Sequence, residues 1–121
     1  MPRFVVLYHE TPPSADRSPH WDLMLETGGG LQTWALPAAP TPGDTIRAEP
    51  LPDHRLKYLD YEGELSGDRG RVSRWDAGTY ELMQKSEAAM VVHLDGDRLR
   101  GKLKITQTAA VHISFCPTVK P

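Results

Sequence analysis

The chain has 121 residues, room for one domain with a single core, so residues 1–121 are read as one unit. Fourteen basic and sixteen acidic side chains give a formal charge of −2, which excludes nucleic-acid binding through net charge and leaves only a local patch or a metal for that purpose. Cys116 is the only cysteine, so no intrachain disulfide can form; with too short an apolar run for a secretory signal and no membrane span, a soluble cytoplasmic protein is expected.

Eleven prolines and ten glycines favour short strands over long helices. RFVVLYHE (3–10) is β-branched and aromatic and reads as a strand ending at His9 and Glu10. TPPSADRSP (11–19) is a proline-rich loop. HWDLMLE, the turn TGGG and LQTWALP read together as a β-hairpin. AAPTPGD (38–44) is a second loop, followed by a short strand TIRAEPL whose Pro50 marks a sheet edge or a strand end. HRLKYLDYEGEL (54–65) alternates as a strand would, with His54, Leu56 and Tyr58 on one side. RVSRWDAGTYELM divides into two strands around Asp76-Ala77-Gly78, and YELMQKSEAAM has space for one or two helical turns. AMVVHL, the turn DGD and RLRGKLKIT form another hairpin, and AVHISF supplies a last strand. Closely spaced strands broken by turns predict an all-β fold: a small closed or partly closed antiparallel β-barrel with little helix. Closure removes the sheet edges that so few helices cannot cover.

Two pairs of residues carry candidate chemistry. On a strand, His20 and Asp22 share one face with Cα atoms roughly 6.5 Å apart, while Trp21, Leu23 and Leu25 form an apolar stripe on the other. An imidazole and a carboxylate so placed can converge on one ion, and such a donor set suits Mn²⁺, Zn²⁺ or Fe²⁺ better than Ca²⁺ or Mg²⁺. His9 is the third ligand if its strand lies beside the hairpin. The alternative is the solvated face of a half-buried strand. His54 and Tyr58, four apart, share a face in either a strand or a helix and can bind or protonate a phosphate; ordinary rim residues are the alternative. Arg69, Arg71 and Arg74 form a basic run around a turn that is either solvated or steers a phosphate backbone. TGGG lacks the helix that a phosphate-binding loop needs, DGD lacks the remaining positions of a calcium loop, and His93, His112 and Cys116 receive no role.

The segments FVVLYHE, HWDLMLETGGGLQTWALP, DHRLKYLDYEGEL, RVSRWDAGTYE and GDRLRGKLKIT occur in the order found in the 3′-phosphoesterase domain of bacterial DNA ligase D. The chain resembles that family from about Phe4 to Thr106. The resemblance implies a compact β-barrel that trims 3′ ends in break repair by non-homologous end joining, removing a 3′-terminal ribonucleoside and then the exposed 3′-phosphate. It implies Mn²⁺ or a similar divalent ion held by His9, His20 and Asp22, with His54 and Tyr58 handling the phosphate. Nucleic-acid 3′ ends and a separate ligase or polymerase are the implied partners. Three positions depart from the family pattern: Met24 where an arginine usually grips a phosphate oxygen, Ala38 for a common lysine, and Leu7 for a glutamine. The loop from His9 to His20 is also longer than usual. Losing a charged donor to the transition state costs roughly 3–4 kcal/mol, and Arg17 or Arg47 is the expected substitute. An accessory that binds metal or DNA ends without turnover, and an esterase of shifted substrate, are the competing functions.

Overall fold

The computed structural model describes residues 1–118. Nine strands are formed: β1 (Arg3–Glu10), β2 (His20–Thr27), β3 (Gly30–Leu36), β4 (Thr45–His54), β5 (Gly63–Glu64), β6 (Arg71–Lys85), β7 (Ala89–Gly96), β8 (Arg100–Gln107) and β9 (Val111–Pro117). Their order is β1-β2-β3-β4-β9-β8-β7-β6, and β1 pairs with β6 to close the ring. Every strand pairing is antiparallel, and the two-residue β5 is appended to the start of β6 outside the ring. The fold is therefore an eight-stranded closed barrel, as its sequence predicts. Among the described residues the helical content is a single 3₁₀ turn, Leu56–Leu59, and no helix is long and apolar enough to cross a membrane.

Alternation explains the interior. Phe4, Val6, Leu23, Leu25, Trp34 and Leu36 point inward and meet Leu94, Leu103, Ile113 and Phe115 from the opposite wall. Yet Phe4–Leu7 and Leu23–Leu25 are buried without interruption, so β1 and β2 are covered on both faces. Their outer face carries Val5, Leu7 and Met24, which join Leu31 and Val72 in a second apolar cluster capped by Tyr58 and Leu59.

That cap corrects the strand expected over 54–65. A strand would turn Tyr58 and Leu59 to opposite faces, whereas the 3₁₀ turn buries both against the outer wall. Residues 71–85 are one continuous strand rather than two. The expected break at Asp76-Ala77-Gly78 is a change of partner: β6 pairs with β1 up to Thr79 and with β7 from Gly78 onward. Asp76 stays in the strand and points inward, where its carboxylate accepts hydrogen bonds from the Asp97, Arg98 and Leu99 amides at 2.9, 3.1 and 2.8 Å and ties down the DGD turn. In place of the helical turns allowed for YELMQKSEAAM, the stretch ends β6 at Lys85, turns, and begins β7 at Ala89.

Pro50 lies inside β4, which runs on through Pro52 to His54. β4 pairs with β9 only over Thr45–Ala48 and with β3 only over Glu49–His54. Beyond Ala48 the side facing β9 has no ladder to complete, so the prolines forfeit nothing there. The sheet edge read from Pro50 exists, but as a local gap in the barrel wall.

Candidate metal centre and phosphate cavity

The barrel register assembles the candidate ligands. His9 on β1 lies directly opposite His20 on β2, and Leu7 lies opposite Asp22, so the three residues share the outer face at one end of the barrel. The two imidazoles are in edge contact, with centroids 4.8 Å apart. One ligand atom from each of His9, His20 and Asp22 lies within 4.8 Å of the others.

Backbone carbonyls fix both histidine tautomers. A carbonyl only accepts, so His9 donates through Nε2 to Arg69 O at 2.8 Å, and His20 through Nδ1 to Ser18 O at 2.8 Å. In the neutral rings the lone pairs then sit on His9 Nδ1 and His20 Nε2, 3.7 and 3.1 Å from Asp22 Oδ2 and Oδ1. Asp22 Oδ1 is buried and has no hydrogen-bond donor. A neutral His20 cannot supply one, because its remaining nitrogen is itself an acceptor. Three electron-rich atoms thus face one another, an arrangement that a divalent cation would relieve. Both imidazoles have outer partners of the kind that orient metal-ligating histidines.

A proton offers the other way to relieve it. Burial disfavours the His20 imidazolium, but Asp22 and the Ser18 carbonyl outweigh that effect and raise its pKa above the ordinary value. Asp22 moves the opposite way: burial opposes its ionisation, yet contact with His20 and His9 holds it below the usual carboxylate value.

The three candidate ligands line a cavity of about 470 Å³, together with His54, Arg17 and Arg69. His54 ends β4 and donates from Nδ1 to Pro52 O at 2.9 Å, leaving Nε2 for the cavity. Arg17 pairs with Glu49. Its charge also reaches Asp22 and His20. Arg69 enters through the turn after β5, whose Gly70 has φ +92° and leaves no space for a Cβ against the Glu10 carbonyl. That close approach brings the Arg69 carbonyl to His9.

Two predicted residues sit elsewhere. Tyr58 does not line the cavity: it is buried in the outer cluster, with its ring edge-on to His54 at 5.9 Å and Lys57 over its face. Arg47 faces outward from β4, beside a neighbouring groove. Of the basic run, Arg74 turns away to pair with Glu62 and Arg71 lines a separate acidic recess, so Arg69 alone joins the site. The carbonyls of Ser18 and Arg69 had no sequence signal, since a carbonyl belongs to every residue type.

The departures at Leu7 and Met24 fall together. They are diagonal neighbours across the β1–β2 pair, both fully buried in the outer cluster beneath Tyr58 and Leu59. An apolar floor here replaces the polar pair of the family pattern. Ala38 is exposed in the loop after β3.

Comparison with known proteins identifies a family. A family model described as the DNA ligase D 3′-phosphoesterase domain matches residues 13–107. The chain belongs to this family. Within this 3′-phosphoesterase domain family, His20, Asp22, His54 and Tyr58 fall in the matched region, whereas His9 precedes it and is tied to the site by strand register. The chain is 32% identical over 114 residues to the multifunctional non-homologous end joining protein LigD of Mycobacterium bovis, covering 87% of this chain and 14% of that protein. It is 31% identical over 101 residues to the protein of the same name from Pseudomonas aeruginosa, covering 74% of this chain and 12% of the relative. The chain thus spans about one-seventh of the curated relatives it matches.

Proposed function

We propose that this domain is a divalent-metal-dependent phosphoesterase that trims the 3′ ends of DNA or RNA–DNA strands in break repair. It removes a 3′-terminal ribonucleoside and then the 3′-phosphate, clearing a 3′-hydroxyl for a ligase or polymerase. One observation carries the reading: Asp22 Oδ1, buried and without a donor, faces two oriented imidazole lone pairs in a cavity that His54 also lines. Family membership supports the phosphoester chemistry, and the relatives' names support a setting in end joining.

Mn²⁺ is the ion assigned to His9, His20 and Asp22, with Zn²⁺ or another transition metal as the competing occupant. Once bound, the ion supplies polarisation of a phosphoryl oxygen and a lowered pKa for a coordinated water. The protein does the rest. Ser18 and Arg69 hold the imidazoles in ligand tautomers. His54, anchored on Pro52, offers Nε2 as the acid that protonates the departing oxygen or the base that takes a proton from water. Tyr58 acts through His54 as a positioning residue, its ring limiting the tilt of the imidazole. With Met24 in the apolar floor, Arg17 and Arg69 are the guanidinium groups left to hold the phosphate.

The test is release of inorganic phosphate from a 3′-phosphorylated primer–template, with and without Mn²⁺, using His20→Ala as control. Release that needs Mn²⁺ and vanishes in the variant is the expected result. The burial of Met24 favours one second reading, an accessory that holds metal and DNA ends without turnover; Mn²⁺ binding with no release from the 3′-phosphorylated end would select it.

A further inference from the structure

A second cavity, of about 760 Å³, opens where β4 parts from β9 beyond Ala48. It shares His20 and Arg17 with the metal cavity, so the two adjoin at those residues. Its walls are largely apolar, with Leu36, Pro37, Ala48, Pro50 and Val111 among them, and Arg47 stands on its rim. The turn between β8 and β9 closes it through Ala109 and Ala110.

From that rim the outer face of the barrel changes character. Arg47 is in register with His112 on β9, and His112 with Thr106 on β8. Along β8, away from the groove, Lys104, Lys102 and Arg100 are the next outward residues, all exposed and about 7 Å apart along the strand. The outward positions of β8 and β9 contain no carboxylate. Among the described residues Arg47, Lys102 and Lys104 form no ion pair. Asp95, opposite Arg100, marks the end of the stripe, and Glu49 at its beginning is taken by Arg17. A chain of net charge −2 thus gathers four permanent cations into one line that starts at its candidate site.

We infer that this groove and stripe form a track for the single nucleic-acid strand that carries the reacting 3′ end. The track rests on the end-processing reading and adds a direction to it. With the terminal phosphate in the metal cavity, the next nucleoside lies in the apolar groove beyond His20, and the following phosphates pass Arg47, Lys104, Lys102 and Arg100. Among the described residues no Phe, Tyr or Trp lines the groove, so it takes sugars and base edges without the stacking platform such rings supply. Affinity therefore comes from backbone charge, is indifferent to sequence, and depends on salt.

The experiment is a binding titration of the full chain with a labelled single-stranded oligonucleotide ending in a 3′-phosphate, read by fluorescence anisotropy across a salt series without added metal. Each phosphate contact contributes about 0.7 to the slope of log K against log salt concentration for a single strand. The double variant Lys102→Gln with Lys104→Gln is expected to bind more weakly and to flatten that slope by about 1.4. Lys85→Gln, an exposed lysine at the end of β6, is expected to keep the wild-type slope. An unchanged slope in the double variant, or an equal loss in Lys85→Gln, overturns the track. Because binding is read without turnover, absence of phosphate release by the wild type under Mn²⁺ would count against the proposed reaction and leave the track standing.

Discussion

Met24→Arg restores the arginine of the family pattern, and this structure predicts that it harms the protein rather than repairing it. Met24 is fully buried, opposite Val5 and Thr33, in a cluster with Leu7, Tyr58, Leu59 and Val72. Losing its burial removes about 2 kcal/mol. A guanidinium left unpaired in that cluster costs a further 3–5 kcal/mol or so. The nearest relief is Asp22, two residues away on the same strand face, whose Oδ1 lacks a donor. Reaching it recovers roughly half of the charge cost and leaves a net loss of about 3.5–4.5 kcal/mol. At an unfolding entropy near 2.1 cal/mol/K per residue, 121 residues lose roughly 4 °C of Tm per kcal/mol. The melting temperature of the metal-free variant should therefore fall by about 14–18 °C. Its Mn²⁺ affinity, measured by calorimetry, should fall as well, because the guanidinium competes for Asp22. A variant that melts within about 2 °C of wild type and releases phosphate faster would refute the reasoning, because position 24 would then open onto the cavity.

Other perturbations separate ligand from scaffold. Asp22→Asn is an isostere whose amide can donate to His20 Nε2; at pH 8 it should stabilise the metal-free protein by about 1–2 kcal/mol while abolishing the rise in Tm on adding Mn²⁺. A metal-dependent shift retained in full would exclude Asp22 as a ligand. Gly70→Ala places a Cβ against the Glu10 carbonyl at φ +92°, so the turn must retreat and take the Arg69 carbonyl from His9. Stability should drop by more than about 1 kcal/mol and Mn²⁺ affinity by about tenfold; wild-type affinity would show that the carbonyl does not orient the ligand. Protons compete with the ion for His20, whose pKa is raised against the pull of burial by Asp22 and Ser18. Mn²⁺ affinity should thus climb with pH through 6.5, the ordinary histidine value, and level off only above it. A flat calorimetric profile across that range would contradict the ligand assignment.

The barrel was legible because its interior strands alternate cleanly: Leu23 and Leu25 face in while Asp22 and Met24 face out, and the same period runs through β7 and β8. Reading failed where a second layer was added. Nothing local in HRLKYLDYEGEL states that Tyr58 and Leu59 must both turn onto the outside of β1 and β2, so a strand fitted equally well. Asp76 and Gly78 look like a turn in sequence, whereas one caps a distant turn and the other marks a change of partner. For the site, strand spacing put His20 and Asp22 on one face but left a solvated face as the alternative, and the family resemblance singled them out as candidate ligands. His9 depended on the register with β2, eleven residues away across an irregular loop. The phosphate side was least legible, since the burial of Tyr58 and Met24 and the approach of Arg69 arise from tertiary packing alone.

The proposed reaction requires that His9, His20 and Asp22 hold a divalent ion. Isothermal titration of Mn²⁺ into the wild-type chain and into His20→Ala at pH 8 tests it most directly. One ion per chain in the wild type and loss of binding in the variant are expected. Equal binding in both proteins, or none in either, would contradict it.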